Sequence, residues 1–452
     1  MHVRFMGCMV LGLMSVLVAE EFDPFDTQSL IPNKQAKLAS CATVDVRKTL
    51  GLSDVVMSAL CNNPQTKIAW QTSLYQAAQV GVSQSAYLPT LSATGSILKA
   101  ESSEIKTGNQ ENMGVTLSYL LYDFGKRDAT YDNARSLLDV ALFSENDTIQ
   151  SVFLSAIQAY YTLFGSNASL EASREAERSA LASLNAAKTR YSVGMATPAD
   201  TLQAQTAYSQ AMLNRIQAEG SVKSAQGELA SVLGLIPDTT LQLQTPKLDI
   251  PSEVFESNIR ALMEEAQKLR PDLMAASAKI KAAEASVKAA KADNMPTFSL
   301  SATSGHTESV FNTAERKSSV GLYVSIPIFT GFNTKYKVQA AQQQLKINEA
   351  EYEKLSQNAS LEVYKTYQSL ISETQATRTS SDLVASAQAS YDLALGRYKA
   401  GVGTILDLLS AQSALASAKQ QHIQSLYNWY ITKASLAKAM GTLDFSTIKG
   451  QP

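Results

Sequence analysis

Apolar residues recur along this chain at two periods, and the periods alternate in blocks. Ile149, Val152, Phe153, Ala156, Ile157, Tyr160 and Phe164 fall on one broad helical stripe. Val320, Leu322, Val324, Ile326 and Ile328 alternate with Gly321, Tyr323, Ser325 and Pro327, a strand pattern. Val115, Leu117, Tyr119 and Leu121 alternate in the same way, and the runs 91–99 and 298–305 are rich in Ser and Thr. The blocks predict a first helix near 53–86, a β-hairpin over 88–122, a long helix over 126–191 and a return helix to 233. The same order follows with a helix near 257–293, a hairpin over 297–329, a long helix over 335–398 and a return helix to 440. Polar segments 101–112 and 306–317 are expected to link the strands of each pair, each strand being about ten residues, long enough for a tilted membrane strand. At 1.5 Å per residue the long helices reach roughly 100 Å, and the two shorter helices stacked end to end match one of them. The expected arrangement is long antiparallel rods with strands at one end and tips at the other.

The two blocks are copies of each other. Arg190, Tyr191, Gly194, Thr197 and Asp200 recur as Arg397, Tyr398, Gly401, Thr404 and Asp407, an offset of 207 residues. The offset also holds from Pro64 to Pro271, Pro89 to Pro296 and Gly234 to Gly441, and slips by one between Gly125 and Gly331. The repeats are placed at 53–234 and 257–441, after an irregular segment 20–52, around a Pro-containing connector 235–256, and before a tail 442–452. Each R-Y-x-x-G-x-x-T-x-x-D stretch (190–200 and 397–407) reads as a helix-turn-helix tip. Glycine stops the incoming helix, Thr caps the outgoing one, and Asp sits three residues on as in a capping box. Pro198 stands at the first helical position, where its missing N–H costs nothing. In the return helix Ala204, Ala207, Ala211, Ala218 and Ala225 lie on an a/d ladder with Asn214 and Ser221, a seam that lets backbones approach closely.

Composition narrows the function. Charged residues make up 18% and the net charge is −2, which gives no electrostatic case for nucleic acid. Three scattered His residues and no His/Cys/acid cluster leave no metal set, and no nucleophile–base pair or phosphate loop suggests an enzyme. Residues 1–19 read as a secretory signal, with His2 and Arg4 before an apolar run from Phe5 to Val18. Cys8 lies inside that run, too early for a lipoprotein cysteine. Its removal would leave Cys41 and Cys61, for which a disulfide is expected over two free thiols. Beyond the signal no run is apolar and long enough for a transmembrane helix, which leaves membrane strands open. Four strands cannot close a lipid-facing barrel, so several chains would have to share one; two copies give eight strands and three give twelve. On the helices alone, a soluble helical bundle is an equal reading.

Taken together, the duplicated proline-then-hairpin segments, Ile328-Phe329-Thr330-Gly331-Phe332, the two tips and the ends Leu233-Gly234 and Met440-Gly441-Thr442-Leu443 resemble the TolC family of outer-membrane efflux and secretion channels. The resemblance covers the mature chain. It implies a mainly α fold with a membrane β-barrel part: duplicated long-helix hairpins forming an α-helical barrel, and four strands per chain contributing to a twelve-stranded barrel in a homotrimer. It places the protein in the outer membrane of a Gram-negative bacterium, in contact with outer-membrane lipid, with a long periplasmic part. Its implied partners are a periplasmic adaptor and an inner-membrane ABC or proton-driven pump, with no cofactor, no nucleic acid and no covalent chemistry. By that resemblance Asp407 faces the pore as an acidic ring, and Ser410 replaces a second acid one turn on. Tyr398 and Asp200 tether neighbouring helices in a closed gate, and Gly403 replaces a basic residue that often supplies another link. Arg190, Gly194, Thr197, Arg397, Gly401 and Thr404 match adaptor-facing tip positions. Helix capping alone is the competing account of Asp407 and Asp200, and a plain core aromatic that of Tyr398. Type I protein secretion is preferred, with small-molecule efflux as the alternative; a non-pore periplasmic coiled-coil adaptor or structural protein is the reading from another class.

Overall fold

A computed structural model describes residues 23–32, 48–102, 105–246, 258–309 and 312–445. The signal segment 1–19 and Cys41 lie outside the described residues. The first repeat holds helices α1 (Leu52–Asn62) and α2 (Pro64–Ser85), strands β1 (Thr90–Ser102) and β2 (Ile105–Tyr122), then α3 (Lys126–Ser192) and α4 (Pro198–Val232). The second repeats that order with α5 (Ile259–Leu269), α6 (Pro271–Ala292), β3 (Thr297–Ser309), β4 (Asn312–Ser325), α7 (Asn333–Lys399) and α8 (Ile405–Ala439). The chain divides into two compact units, one of 1–35, 72–141 and 278–349, the other of 36–71, 142–277 and 350–452.

In the first unit the strands form one antiparallel sheet in the order β1-β2-β3-β4. Its register sorts side chains by chemistry. Leu91, Leu117, Ala302 and Val320 stand directly opposite one another across all four strands, and the next row is Ser92, Thr116, Thr303 and Ser319. Facing partners share a face and successive residues alternate faces, so one face is largely aliphatic and the other largely hydroxylic, with the Ser304 and Ser318 hydroxyls on the apolar side. Tyr119, Leu300 and Leu322 extend the aliphatic face, and the Thr303 and Ser319 hydroxyls bond at 2.7 Å on the other. The aliphatic face is exposed within the chain, and β1 and β4 carry unpaired edges. The segments 101–112 and 306–317, expected as linkers, are largely strand; β2 alone runs for 18 residues. Backbone pairing continues past the apolar band, where side chains carry no alternating signal.

Arg127 fastens the end of the sheet to α3. Its guanidinium donates to the Leu120 carbonyl at 2.8 Å, the Leu121 carbonyl at 3.2 Å and the Asp123 carboxylate at 3.1 Å, and lies over the Tyr87 ring. Asn133 ties α3 to α6 by donating to the Ala282 carbonyl at 2.7 Å.

The second unit is built on an apolar core of α1, α3, α4 and α8, centred on Val55, Val56, Phe153, Tyr160, Leu229 and Tyr430. The Tyr160 hydroxyl donates to the Gln244 carbonyl at 2.7 Å, and burial pushes its pKa up to about 12. Cys61 in α1 is disulfide-bonded. The helices expected to run unbroken over 53–86 and 257–293 are each split before a proline, because Asn63 and Arg270 are forced into extended backbone there (ψ 130° and 123°). The side chains freed at the two breaks do the same job. Asn63 Nδ2 donates to the Val232 carbonyl, and Arg270 Nη1 to the Ala439 carbonyl, both at 3.0 Å, closing the last turn of each return helix. A Cβ at the following Gly234 or Gly441 would come within 2.6 Å or 2.8 Å of the broken helix's backbone. Arg270 is also paired with Asp272 at 2.8 Å and Glu362 at 2.7 Å. Burial alone would push Asp272 up, but the guanidinium more than offsets this and holds it below the usual carboxylate range.

Candidate gate at the helical tips

Both tips use the same local chemistry. Gly194 and Gly401 take positive φ, 73° and 84°, which ends α3 and α7 in a left-handed residue. The Met195 N–H then bonds the Arg190 carbonyl at 2.8 Å, and the Val402 and Gly403 N–H groups bond the Arg397 carbonyl at 3.1 Å. The Thr197 and Thr404 hydroxyls accept from the N–H groups of Asp200 and Asp407 at 3.3 Å and 3.1 Å. Gly403 packs tightly: a Cβ there would meet the Tyr398 amide nitrogen and the Arg397 Cβ at 3.0 Å. Replacement of the expected basic residue is therefore matched by a turn with no room for a side chain in this conformation.

The two aspartates are held differently. Asp200 Oδ2 accepts from the Thr197 N–H at 2.8 Å and from its hydroxyl at 2.9 Å, and the residue is half-buried. Asp407 Oδ2 reaches the Thr404 N–H only at 3.5 Å, and the residue is exposed, as is Ser410 one turn further along. The second-tip carboxylate is thus the freer of the two to act outside its own helix.

Below the turns the tips share a core of Leu184 and Ala187 from α3, Ala204 from α4, Tyr398 from α7 and Ile405 and Leu408 from α8. Arg190 crosses between the tips. Its guanidinium lies 4.1 Å from the Tyr398 ring centroid and donates to the Tyr398 and Lys399 carbonyls. This link was not legible in the sequence, where Arg190 reads as a tip residue facing a partner. Its repeat mate Arg397 is exposed.

Tyr398 is 5% exposed, and its buried hydroxyl finds no hydrogen-bond partner among the described residues. Burial raises its pKa against the opposing pull of the Arg190 guanidinium, with the nearby Asp200 charge adding a smaller push upward. Within the chain Asp200 is engaged by its own Thr197 cap and Tyr398 by the Arg190 guanidinium. Gln412, buried beneath the tip, bridges helices by donating to the Ala176 carbonyl at 3.3 Å, with the Ser183 hydroxyl at 3.4 Å from its Oε1. Its one sequence signal is a polar residue within an otherwise small and apolar seam. Around the turns Val193, Met195, Leu202, Val402 and Leu406 are all exposed, an apolar rim on helix ends that carry no partner here. Among the described residues no group of acids, His or Cys could hold a metal ion, and no helix is long and apolar enough to cross a membrane.

The sequence profile of the Outer membrane efflux protein family matches residues 55–235 and 262–442, one match in each repeat. Protein CyaE of Bordetella pertussis is 31% identical over 410 residues, covering 89% of this chain and 86% of that protein. Outer membrane protein TolC of Escherichia coli is 22% identical over 354 residues, covering 74% of this chain and 70% of TolC. Among solved structures, the CmeC outer membrane channel of Campylobacter jejuni superposes with a TM-score of 0.78 at 22% identity, over 88% of each chain. Profile, relative and fold agree on a transport channel rather than a catalyst: this chain belongs to the TolC-like Outer membrane efflux protein family, whose members are outer-membrane channels with a long periplasmic helical part.

Proposed function

We propose that three copies of this chain assemble into one exit duct, with a twelve-stranded barrel in the outer membrane and a helical conduit closed by the paired tips. The sheet's register carries this reading. A sheet with one largely apolar, exposed face and two open edges suits a bilayer only once neighbours pair those edges. Three loosely held Asp407 carboxylates, with Ser410 one turn on, form an acidic constriction that favours cations. Tyr398 and Asp200 stabilise the closed gate, the Tyr398 hydroxyl finding its acceptor on a neighbouring protomer. The apolar rim at Val193, Met195, Val402 and Leu406 docks a periplasmic adaptor, which couples the duct to an inner-membrane ABC or proton-driven pump. A polypeptide cargo in a type I system is the preferred reading, favoured by Cys8 lying too early in the apolar run to be a lipoprotein cysteine. Small-molecule efflux is the alternative, supported by the match of both repeats to the Outer membrane efflux protein family.

Outer-membrane fractionation followed by native mass measurement in detergent tests the assembly. A trimer from the outer-membrane fraction is expected. A monomer, or recovery in the soluble periplasmic fraction, overturns the channel reading.

A further inference from the structure

At the base of the sheet the aliphatic face runs into two aromatic clusters. Tyr122, Phe124 and Phe298 form one, with centroid distances of 4.7 Å and 6.5 Å, and Phe329 and Phe332 form the other at 5.5 Å. They sit where β2 turns into α3, beside the start of β3, and where β4 leads into α7; apart from the half-buried Phe298 they are exposed, as is Ile328, with Ile328 94% and Phe329 75% accessible. Immediately beyond them two ammonium groups from different helices converge on one carboxylate. Lys126 Nζ, at the start of α3, lies 2.6 Å from Asp293 Oδ1, and Lys337 Nζ, on the first turns of α7, lies 3.2 Å from Asp293 Oδ2. Lys126 is chief among the contacts that hold the Asp293 carboxyl below its usual range.

One carboxylate cannot neutralise two ammonium groups. Asp123 is matched by Arg127, and Asp128, which accepts from the neutral Tyr87 hydroxyl and keeps its charge, offsets the excess only in part once Lys335 is counted. No acidic residue occurs between Glu315 and Glu349, whereas Lys335 lies exposed in that interval. Both paired lysines are about half accessible, 50% and 55%, so each retains N–H donors for a further acceptor. An apolar face bordered by exposed aromatics and then by a fixed surplus of positive charge has the order of a lipid molecule: acyl chain, interface, phosphate.

We propose that Asp293 positions Lys126 and Lys337 as a clamp for the phosphodiester of an anionic glycerophospholipid, whose acyl chains lie along the aliphatic face above. Because the helices leave the sheet at this end, the lipid belongs to the periplasmic leaflet. Each protomer carries one clamp. The inference rests on the membrane-channel reading and adds to it a headgroup preference at a defined place.

The purified trimer, stripped of lipid, is titrated with dioleoyl phosphatidylglycerol or with dioleoyl phosphatidylcholine, and bound lipid is counted by native mass spectrometry. Phosphatidylglycerol is expected to be retained about tenfold better, up to one strongly held molecule per protomer. Lys126→Gln with Lys337→Gln should bring the two lipids to parity, and Lys126→Arg with Lys337→Arg should restore the preference. Equal retention of the two lipids by the natural protein, or an unchanged preference in the Gln pair, overturns the clamp. So does protection of both lysines from acetylation in the lipid-free trimer, which would place a neighbouring protomer over them. The trimer mass itself separates the two proposals. A stable trimer with no headgroup preference defeats the clamp alone, whereas absence of a trimer defeats the channel.

Discussion

Asp200 and Asp407 occupy one place in two copies of a motif, but their carboxylates are engaged differently. Asp200 holds both the amide and the hydroxyl of its Thr cap, at 2.8 Å and 2.9 Å, whereas Asp407 touches only the amide, at 3.5 Å. Hydrogen-bond strength falls steeply over that range, so Asp200→Ala should cost the tip on the order of 1 kcal/mol and Asp407→Asn almost nothing. The contrast extends to conduction. In planar-bilayer recordings Asp407→Asn is expected to reduce cation selectivity and weaken block by trivalent cations, while Asp200→Ala loosens the gate and raises conductance. Unchanged selectivity and block in Asp407→Asn would remove the acidic ring. The caps themselves were readable from T-x-x-D, because capping is local chemistry. The Arg190 contact with Tyr398 was not, because it joins residues 208 apart and depends on how two helix pairs meet.

At the scale of elements, the sheet provides a sharp test because adjacent residues on one strand meet opposite solvents. Leu300 sits in the aliphatic row with Tyr119 and Leu322, and Ser301 beside it in the hydroxylic row with Ser118 and Gly321. In the proposed barrel Leu300→Lys should destabilise the assembly by about 2–4 kcal/mol, and Ser301→Lys, on the face assigned to the lumen, by far less. Heat resistance of the trimer on gels reads the difference; equal loss in both variants would refute the assignment of faces. The alternation at 320–328 made this strand pair legible, since lipid imposes a period on side chains. Where the strands leave the apolar band that constraint lapses, which is why β1 to β4 extend into segments that read as linkers. The helix breaks before Pro64 and Pro271 had a visible cause but were hidden by the helical pattern continuing on both sides. The side chains of Asn63 and Arg270 became meaningful only once the return helices were seen to end against them.

At the scale of the whole molecule, the order β1-β2-β3-β4 leaves the first and last strands with open edges, which in the proposed trimer pair across protomers. Cysteines introduced along β1, at Ser92 or Thr94, and along β4, at Ser319 or Ser325, should therefore crosslink between protomers in the outer membrane. A ladder ending at three linked chains is expected on non-reducing gels. Crosslinks confined within single chains for every pair would deny that β1 meets β4 across protomers. These open edges also have a genetic consequence. If the proposed trimer forms, no protomer completes a barrel by itself, so a cell making a defective and a sound version together would incorporate both into the same rings, and only a minority of rings would escape. Gate and tip lesions that leave the edges intact should behave as dominant alleles, whereas lesions that abolish edge pairing should be recessive, since their products never enter a ring.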